Sequence, residues 1–337
     1  MAYSSITKPS DHFNTKLYTG NSSNNHAITG VGFQPDFTWI KNRGGDWNIL
    51  TDSIRGVTKL VYSNSTAAED TDSTYIQSFD SNGFTLGTNT DVNENSNNYA
   101  SWNWLGANGT ASNSNGSINS TVSANTTAGF SIVTFQGTGS SGQTVGHGLG
   151  VTPQVIISKD RDSTEAWSVH TTVIDGSMDY LRLAGTDAAG NSSFSAPNST
   201  VFGYNPGSGG YVAYVFAEKK GYSKFASYTG NGNADGTFVY TGFKPAFILQ
   251  KNASATGNWI LYDNKRDVDN VADKILIPNS SSAEATACDV DLLSNGFKFR
   301  AVNDASSNKS GNTYIYMAFA EEPLVANVGV SIPATAR

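Results

Sequence analysis

One short hydrophobic segment that begins with proline occurs three times in this chain, and this repetition limits the folds that the chain can adopt. The copies are residues 35–41, 153–159 and 245–251, and each ends with lysine six positions after the proline. Large apolar residues occupy positions +2 and +4 in every copy. Such alternation predicts a strand with one buried face. The lysine at +6 has the same parity, so we expect it where that face ends, with its ammonium group in water.

Four further landmarks accompany the proline segment, always in the same order. An opening strand precedes the proline, a tryptophan follows the lysine, a Ser-Asn-Gly turn comes later, and a closing strand that begins with tyrosine ends each copy. The turn is degraded in the second copy, at residues 198–202. The tryptophans are Trp47, Trp167 and Trp259, and the closing tyrosines are Tyr99, Tyr211 and Tyr314. Five ordered landmarks, repeated three times, predict three copies of one domain.

The composition favours an all-β fold. Charged residues make up only 15% of the chain, while Gly, Ser, Thr and Asn, which favour turns over helix interiors, are abundant. We predict three tandem antiparallel β-sandwich repeats with few or no helices, each with a core between its two sheets. Short helices are possible only near residues 66–70 and 282–285. The recurring positions assigned to the structural core are Pro35, Pro153, Pro245, Tyr99, Tyr211 and Tyr314.

The landmarks divide the chain into five parts. Repeat 1 covers residues 1–107, with an N-terminal arm at 1–12, repeat 2 covers 129–220, and repeat 3 covers 221–322. Residues 108–128, rich in Ser, Asn and Gly, are predicted to be a polar linker, and residues 323–337 a tail. Repeat 2 lacks the Asp-Ser-Ile-Arg-Gly and Ser-Asn-Gly-Phe sequences of repeat 1, so we expect its surface to have a different role.

Several longer motifs resemble a repeat domain encoded by tailed phages, particularly marine phages. They include Gly-Phe-Gln-Pro-Asp-Phe-Thr-Trp-Ile-Lys-Asn-Arg at residues 32–43 and Tyr-Ile-Tyr-Met-Ala-Phe-Ala-Glu at residues 314–321. Others lie at residues 8–21, 52–56, 64–69 and 79–87. The resemblance covers repeats 1 and 3 and is weaker in repeat 2. It implies a virion structural protein, often described as a tail fibre, and it brings no catalytic residues with it.

No catalytic arrangement recurs among the repeats, and we assign no catalytic residue, no metal ligand and no cofactor. The four histidines lack the spacing of a chelate, and the chain has no Gly-x-Ser-x-Gly sequence. Two pairs of carboxylates correspond between repeats 1 and 3. Glu69 and Glu284 lie in Ser- and Ala-rich turns, where we expect them to cap short helices. Asp52 and Asp263 are expected in turns closed by a nearby arginine.

The three tryptophans have two alternative roles. An exposed ring beside polar loops could stack on a sugar, so Trp47, Trp167 and Trp259 are the candidate binding residues. A residue that is present in every repeat is more often a core filler, and we favour the core. The aspartate-rich loops at residues 70–72 and 267–269 could hold calcium, but neither has the spacing of an EF-hand.

Charge and cysteine content argue against several classes of protein. The formal net charge is −7 and there is no basic stripe, so we expect no binding to nucleic acid. No stretch approaches 18 apolar residues, so we expect no insertion into a membrane. The single cysteine, Cys288, excludes an intramolecular disulfide framework. These features suit assembly in the reducing cytoplasm of a host bacterium and a final location in the virion.

The sequence is compatible with three alternative functions. The leading one is a non-enzymatic virion protein on the particle exterior, a tail-fibre or host-surface-binding component whose partners are other virion proteins and host surface glycan. A capsid decoration or tail-assembly protein that clamps neighbouring subunits is the first alternative. A virion-associated polysaccharide depolymerase is the second. A homotrimer would suit a fibre tip, whereas a single chain forming a pseudo-threefold disc would suit a threefold or sixfold position.

Overall fold

The computed structural model describes residues 4–204 and 207–323, and antiparallel strands dominate it. In these residues the only helical elements are a 3-10 turn (Pro9–Asp11) and α1 (Thr90–Asn93), so the all-β prediction is confirmed. The short helices expected near residues 66–70 and 282–285 do not form. The N–H groups of Glu69 and Glu284 donate instead to carbonyls of a neighbouring repeat. These segments therefore contact a neighbouring repeat through their backbone.

Repeat 1 consists of two sheets. Its strands are β1 (Phe13–Thr19), β2 (His26–Thr29), β3 (Phe37–Asn42), β4 (Asn48–Asp52), β5 (Lys59–Tyr62), β6 (Asp70–Thr71), β7 (Ile76–Asp80), β8 (Gly83–Leu86) and β9 (Asn98–Trp104). An inner sheet has the order β1-β9-β3-β4-β5-β6, and an outer sheet has the order β2-β8-β7.

Repeat 2 has a longer inner sheet and a smaller outer sheet. The strands from residue 111 onward are β10 (Ala111–Asn113), β11 (Ser120–Asn125), β12 (Phe130–Gln136), β13 (Gln143–Gly146), β14 (Val155–Asp160), β15 (Ser168–Thr171), β16 (Asp179–Arg182), β17 (Gly190–Asn191), β18 (Val201–Tyr204) and β19 (Gly210–Phe216). The inner sheet has the order β10-β11-β12-β19-β14-β15-β16-β17, and the outer sheet contains only β13 and β18.

The prediction that residues 108–128 form a linker is wrong. Strand β11 pairs along its whole length with β12, and β10 pairs with β11, so both extend the inner sheet of repeat 2. Val122 of β11 is buried in the outer core of that repeat. A polar composition did not prevent pairing, because residues that alternate between a sheet face and solvent need few apolar side chains.

Repeat 3 returns to two sheets of similar size. Its strands are β20 (Ser223–Thr229), β21 (Phe238–Tyr240), β22 (Phe243–Asn252), β23 (Trp259–Asp263), β24 (Ala272–Ile275), β25 (Ala285–Leu293), β26 (Gly296–Phe299) and β27 (Thr313–Pro323). The inner sheet has the order β20-β27-β22-β23, and the outer sheet the order β21-β26-β25-β24. Beyond Pro323, the predicted tail lies outside the described residues.

The same strand pairing occurs in all three repeats. The opening strand pairs with the closing strand, which pairs with the proline strand, which pairs with the strand after it. The register is also the same, because the residue at proline +2 lies opposite the residue at closing tyrosine +5 each time. These pairs are Phe37 with Trp104, Val155 with Phe216, and Phe247 with Phe319. The sequence repeat is therefore a structural repeat, and equivalent residues can be read from the register.

A single central core lies between the three inner sheets. The apolar residues at proline +2 and +4 belong to this core in every repeat. At its centre Trp104, Phe216 and Phe319 contact one another, with ring centroids 5.7 to 6.3 Å apart. Ile6 of the N-terminal arm is buried there too. Our expectation that these residues fill a core between the two sheets of one repeat is thus wrong, because they form a core common to the three repeats.

The opposite face of each inner sheet packs on the outer sheet of the same repeat and forms a separate outer core. In each outer core, an aromatic ring of the opening strand stacks on the closing tyrosine, with centroids 5.0 to 5.3 Å apart. The three closing tyrosines and the three recurring prolines are all buried, as expected. The central strands of each inner sheet are therefore buried on both faces, which explains why every residue of β3 and β14 is buried.

The lysines at proline +6 differ from the prediction. Lys41, Lys159 and Lys251 are completely buried, and their ammonium groups donate to backbone carbonyls, mainly of the loop that follows each strand. Burial lowers the pKa of Lys41 and of Lys251 to about 8. The loops close over the end of the central core, so the lysine side chains cannot extend to water. Carbonyl oxygens take the place of the water ligands.

Candidate ligand-binding groove in repeat 2

The outer sheet of repeat 2 leaves part of the inner sheet uncovered. In repeats 1 and 3 a hairpin, β7–β8 or β25–β26, supplies two strands to the outer sheet, whereas repeat 2 keeps only β18 of this pair. The segment that would form the missing strand, residues 192–200, contains Pro197 and mostly small polar residues, which have low β-propensity. The outward face of β15, β16 and β17 is consequently open.

The residues on this open face differ from their equivalents in the other repeats. Ser168 occupies the position of Ile49 and Ile260, both of which are buried in outer cores. Tyr180 occupies the position of Leu60, which is also buried. Polar and amphipathic side chains thus replace aliphatic ones where the covering strand is missing.

The open face forms a groove with two connected halves. An acidic half of about 570 Å³ is lined by Asp160, Asp162 and Glu165 together with serines and glycines. An aromatic half of about 380 Å³ is lined by Tyr180 and Phe194 together with polar residues of the 191–193 segment. The halves share three residues, Ser168, Arg182 and Tyr204. Volumes of this size are typical of small-molecule sites.

The carboxylates of the acidic half are held in different ways. Burial tends to raise the pKa of Asp160, but hydrogen bonds from the amide of Asp162, from Ser163 and from the Tyr211 hydroxyl outweigh it, so the pKa is lowered. Asp160 is therefore ionised at neutral pH. Glu165 is exposed and has no ion-pair partner in residues 4–204 and 207–323. The half carries negative charge that a ligand can reach.

The aromatic half is organised around stacked rings. His170 lies below Phe194, with centroids 4.8 Å apart, and Tyr204 packs on both of them. Burial and the charge of Arg182 lower the pKa of His170 to about 4, so the imidazole is neutral near pH 7. The Arg182 guanidinium lies over the Tyr180 ring, 5.0 Å from its centroid. Ring faces and hydrogen-bonding groups are thus available side by side.

Of the two alternative roles of the tryptophans, ligand binding is wrong for Trp167 and Trp259. Trp167 and Trp259 are fully buried, and each indole N–H donates to a backbone carbonyl of the preceding repeat, Tyr62 or Arg182. Neither ring can stack on a ligand. They are core residues, the location that the sequence favoured.

Trp47 is not equivalent to the other two tryptophans. Register places Asn48 opposite Lys41, as Trp259 lies opposite Lys251, so the tryptophan of repeat 1 precedes the equivalent position by one residue. A shift of one residue along a strand reverses the face. Trp47 is accordingly 42% exposed and lies outside the groove, and its ring contacts that of Tyr62.

The carboxylates shared by repeats 1 and 3 lie at the seams between repeats. Asp52 accepts hydrogen bonds from the amide and the guanidinium of Arg55, so the expected turn is confirmed. Arg55 also binds Glu69, and Glu69 pairs with Arg161 of repeat 2. The Tyr214 hydroxyl of repeat 2 donates to Asp52. Glu69 is therefore part of an ionic seam and does not cap a helix.

The seam between repeats 3 and 1 is built in the same way. Asp263 binds Arg266, Arg266 binds Glu284, and Glu284 pairs with Arg43 of repeat 1. Trp102 of repeat 1, at the position of Tyr214, donates its indole N–H to Asp263. Glu284, like Glu69, is thus an interface residue.

The third seam, between repeats 2 and 3, has the same backbone contact, with uncharged residues at the positions equivalent to those of the ionic seams. The amide of Ala189 donates to the carbonyl of Ala253, just as Glu69 donates to Arg161 and Glu284 to Arg43. The seam between repeats 1 and 2 contains five charged or polar residues, which are Asp52, Arg55, Glu69, Arg161 and Tyr214. Uncharged residues occupy the five equivalent positions in the third seam. The replacements are Thr171, Ile174, Ala189, Ala253 and Met317. The charged groups were lost together, which avoids an unpaired buried charge.

Glu69 and Glu284 are held ionised by their arginines. Burial tends to raise the pKa of Glu69, but the hydrogen bonds of Arg161 and the charge of Arg55 outweigh it, and the pKa is lowered. The pKa of Glu284 is lowered for the same reason, by Arg43 and Arg266. General acid catalysis near neutral pH needs a raised carboxyl pKa. The environments of Glu69 and Glu284 lower their pKa values, which is the opposite of what a general acid needs.

A comparison with protein families gives one match. The profile of a family described as a domain of unknown function, DUF7483, matches residues 8–323. The chain belongs to the DUF7483 family. Searches of curated proteins and of solved structures gave no match. The DUF7483 match spans all three repeats, in agreement with a body whose central core is common to the three.

The calcium loops and membrane spans considered from the sequence can be compared with the structure of this DUF7483 protein. Within the described part of the chain no group of three or more His, Cys, Asp and Glu residues is arranged to hold a metal ion. Asp267 of one proposed calcium loop binds Lys274, and Asp72 of the other caps the amide of Thr74. No helix in the described ranges is both long and apolar enough to cross a membrane.

Proposed function

We propose that this protein is a non-enzymatic structural component of a tailed-phage virion, exposed on the particle exterior, and that it binds host surface glycan through the groove of repeat 2. The groove is the observation that carries the proposal. It is present in one repeat, where the outer sheet has lost a strand and the exposed face has exchanged aliphatic residues for polar and aromatic ones. The phage assignment rests on the sequence motifs.

The chemistry of the groove suits a carbohydrate. Sugars present C–H faces, which pack on aromatic rings, and hydroxyl groups, which exchange hydrogen bonds with carboxylates and amides. Tyr180 and Phe194 supply rings, and Asp162 and Glu165 supply acceptors. An open groove, unlike a closed pocket, admits an internal segment of a long polymer. A host envelope polysaccharide is such a polymer.

The groove predicts the effect of removing its rings. Tyr180→Ala and Phe194→Ala are each expected to weaken binding of fluorescent protein to host cells, and to purified envelope polysaccharide, by about tenfold, the value of one stacking contact. Binding would be measured by titration against immobilised polysaccharide. Thermal unfolding would show that each variant is folded.

Trp47→Ala is the matched control, because it removes an exposed ring outside the groove. Binding by this variant should equal that of the parent. Loss of binding in Trp47→Ala with no loss in Phe194→Ala would place the site at Trp47 and contradict the groove. A rise in reducing ends when the parent is incubated with the polysaccharide would contradict the non-enzymatic assignment and favour a depolymerase.

A capsid decoration or tail-assembly role is the second candidate, and one observation favours it. Phe238 and Tyr240 are exposed on the edge strand β21 of repeat 3. Register gives Ala27 and Thr144 as the equivalents of Phe238, so the fold does not require an aromatic residue there. A neighbouring virion subunit could cover this patch. Antibody labelling confined to the phage head would support decoration over a tail-fibre role.

A further inference from the structure

Arg182, in the middle of the groove, differs from the other arginines of the described chain. Five of these six arginines form ion pairs with carboxylates, and Arg182 forms none. To residues 4–204 and 207–323 its side chain makes one hydrogen bond, from Nη1 to the Ser168 hydroxyl, at 2.8 Å. A guanidinium has five N–H donors, so most of those of Arg182 are available to a ligand.

The position of Arg182 is fixed from two sides. The guanidinium lies over the Tyr180 ring, on the neighbouring outward position of the same strand. The backbone carbonyl of Arg182 accepts the indole N–H of Trp259 from repeat 3, at 2.9 Å. A donor group held in advance loses little entropy when it binds. The arrangement therefore suits recognition of a defined group on a ligand.

Charge is distributed unequally along the groove. Arg182 lines both halves and is the one charged residue of the described chain in the aromatic half, whereas Asp160, Asp162 and Glu165 line only the acidic half. A negatively charged group is attracted to the aromatic half and repelled from the acidic half. A planar carboxylate can accept two parallel hydrogen bonds from the paired N–H groups of a guanidinium.

We propose that the groove recognises an acidic glycan, with a hexuronate unit in the aromatic half and an uncharged sugar unit in the acidic half. This inference rests on the proposed glycan-binding function. The uronate carboxylate pairs with Arg182, and the ring of the same unit packs on Tyr180 or Phe194. The hydroxyl groups of the adjacent uncharged unit donate hydrogen bonds to the carboxylates of Asp162 and Glu165. The groove thus selects an alternating order of acidic and neutral units.

Three probes test the proposal. They are an oligosaccharide of alternating glucuronate and N-acetylglucosamine, the same oligosaccharide with its carboxyl groups reduced to alcohols, and an oligosaccharide of galacturonate alone. Calorimetric titration should show that the parent protein binds the alternating probe roughly 10- to 100-fold more tightly than the reduced probe, the value of a charge-assisted hydrogen bond. The galacturonate probe should bind more weakly than the alternating probe, because one of its carboxylates must enter the acidic half.

Substitutions assign this preference to Arg182. Arg182→Gln should abolish the difference between the alternating and the reduced probe, and Arg182→Lys, which keeps the charge without the planar fork, should retain a small part of it. Arg300→Gln removes an arginine outside the groove and should leave all three affinities unchanged. Unfolding temperatures would confirm that the variants are folded.

The outcomes separate the two proposals. Equal binding of the alternating and reduced probes by the parent would overturn the acidic-glycan inference while supporting glycan binding. A preference that persists in Arg182→Gln would overturn the role of Arg182. Failure of the parent to bind any of these probes would overturn this inference, and failure to bind host envelope polysaccharide as well would overturn the proposed function.

Discussion

Replacing Arg55 with alanine is expected to lower the free energy of unfolding by about 3–5 kcal/mol, the cost of removing one partner of a buried ion pair. Arg55 is buried among Asp52, Glu69 and Tyr214, and it also donates to the carbonyl of Leu50. Its removal leaves two carboxylates with fewer donors in a site that water does not reach. Denaturant titration at neutral pH would measure the change.

The chain itself supplies a control for this prediction. The seam between repeats 2 and 3 has uncharged residues at the five equivalent positions, so these residues can be transferred to the seam between repeats 1 and 2. The transferred set is Asp52→Thr, Arg55→Ile, Glu69→Ala, Arg161→Ala and Tyr214→Met. Because all the charged groups leave together, this variant should be within about 2 kcal/mol of the parent, despite its five substitutions. A greater loss than that of Arg55→Ala alone would show that the two kinds of seam are not interchangeable.

Trp104→Ala is expected to have a similarly large effect, about 3–5 kcal/mol. Trp104 is the repeat-1 member of the three rings at the centre of the core, and it contacts Phe216 and Phe319 from the other two repeats. The cavity in the central core has a volume of only about 10 Å³, so the rings around Trp104 are closely packed. All three repeats should lose stability together, in one cooperative transition.

Trp104→Phe is the matched variant, since it makes the three central rings identical. Among the described residues the indole N–H of Trp104 has no hydrogen-bond partner, so its loss removes an unfavourable buried group and offsets part of the lost volume. We expect a loss of less than about 2 kcal/mol. Separate unfolding transitions for different repeats in Trp104→Ala would contradict the view that the central core unites them.

The sequence predicted the strands well because their signals are local. Alternation after each proline identified β3, β14 and β22, and the closing tyrosines identified the buried central strands. The sequence did not show which face of a strand packs in the central core and which packs in an outer core. A strand that is buried on both faces has apolar residues at both parities. The lysines at +6 misled for the same reason, since their burial depends on loops that close over the core.

The groove was only partly predictable. The absence of the Ser-Asn-Gly turn in repeat 2 was visible and led to the expectation of a different surface. Comparison of equivalent positions would have gone further, because Ser168 stands where the other repeats have isoleucine. That comparison requires the strand register. The offset of Trp47 by one residue shows how spacing alone can misalign equivalent positions.

The three unequal repeats in one chain have a consequence for binding to a cell surface. In a trimer of identical chains, any substitution that opens a groove opens it three times, and every copy must remain compatible with the same neighbours. Here one repeat has a smaller outer sheet than the other two. Under the proposed function, each molecule therefore offers one groove to a glycan. Strong adhesion to a polymer would then depend on how many molecules the particle displays and how far apart they stand.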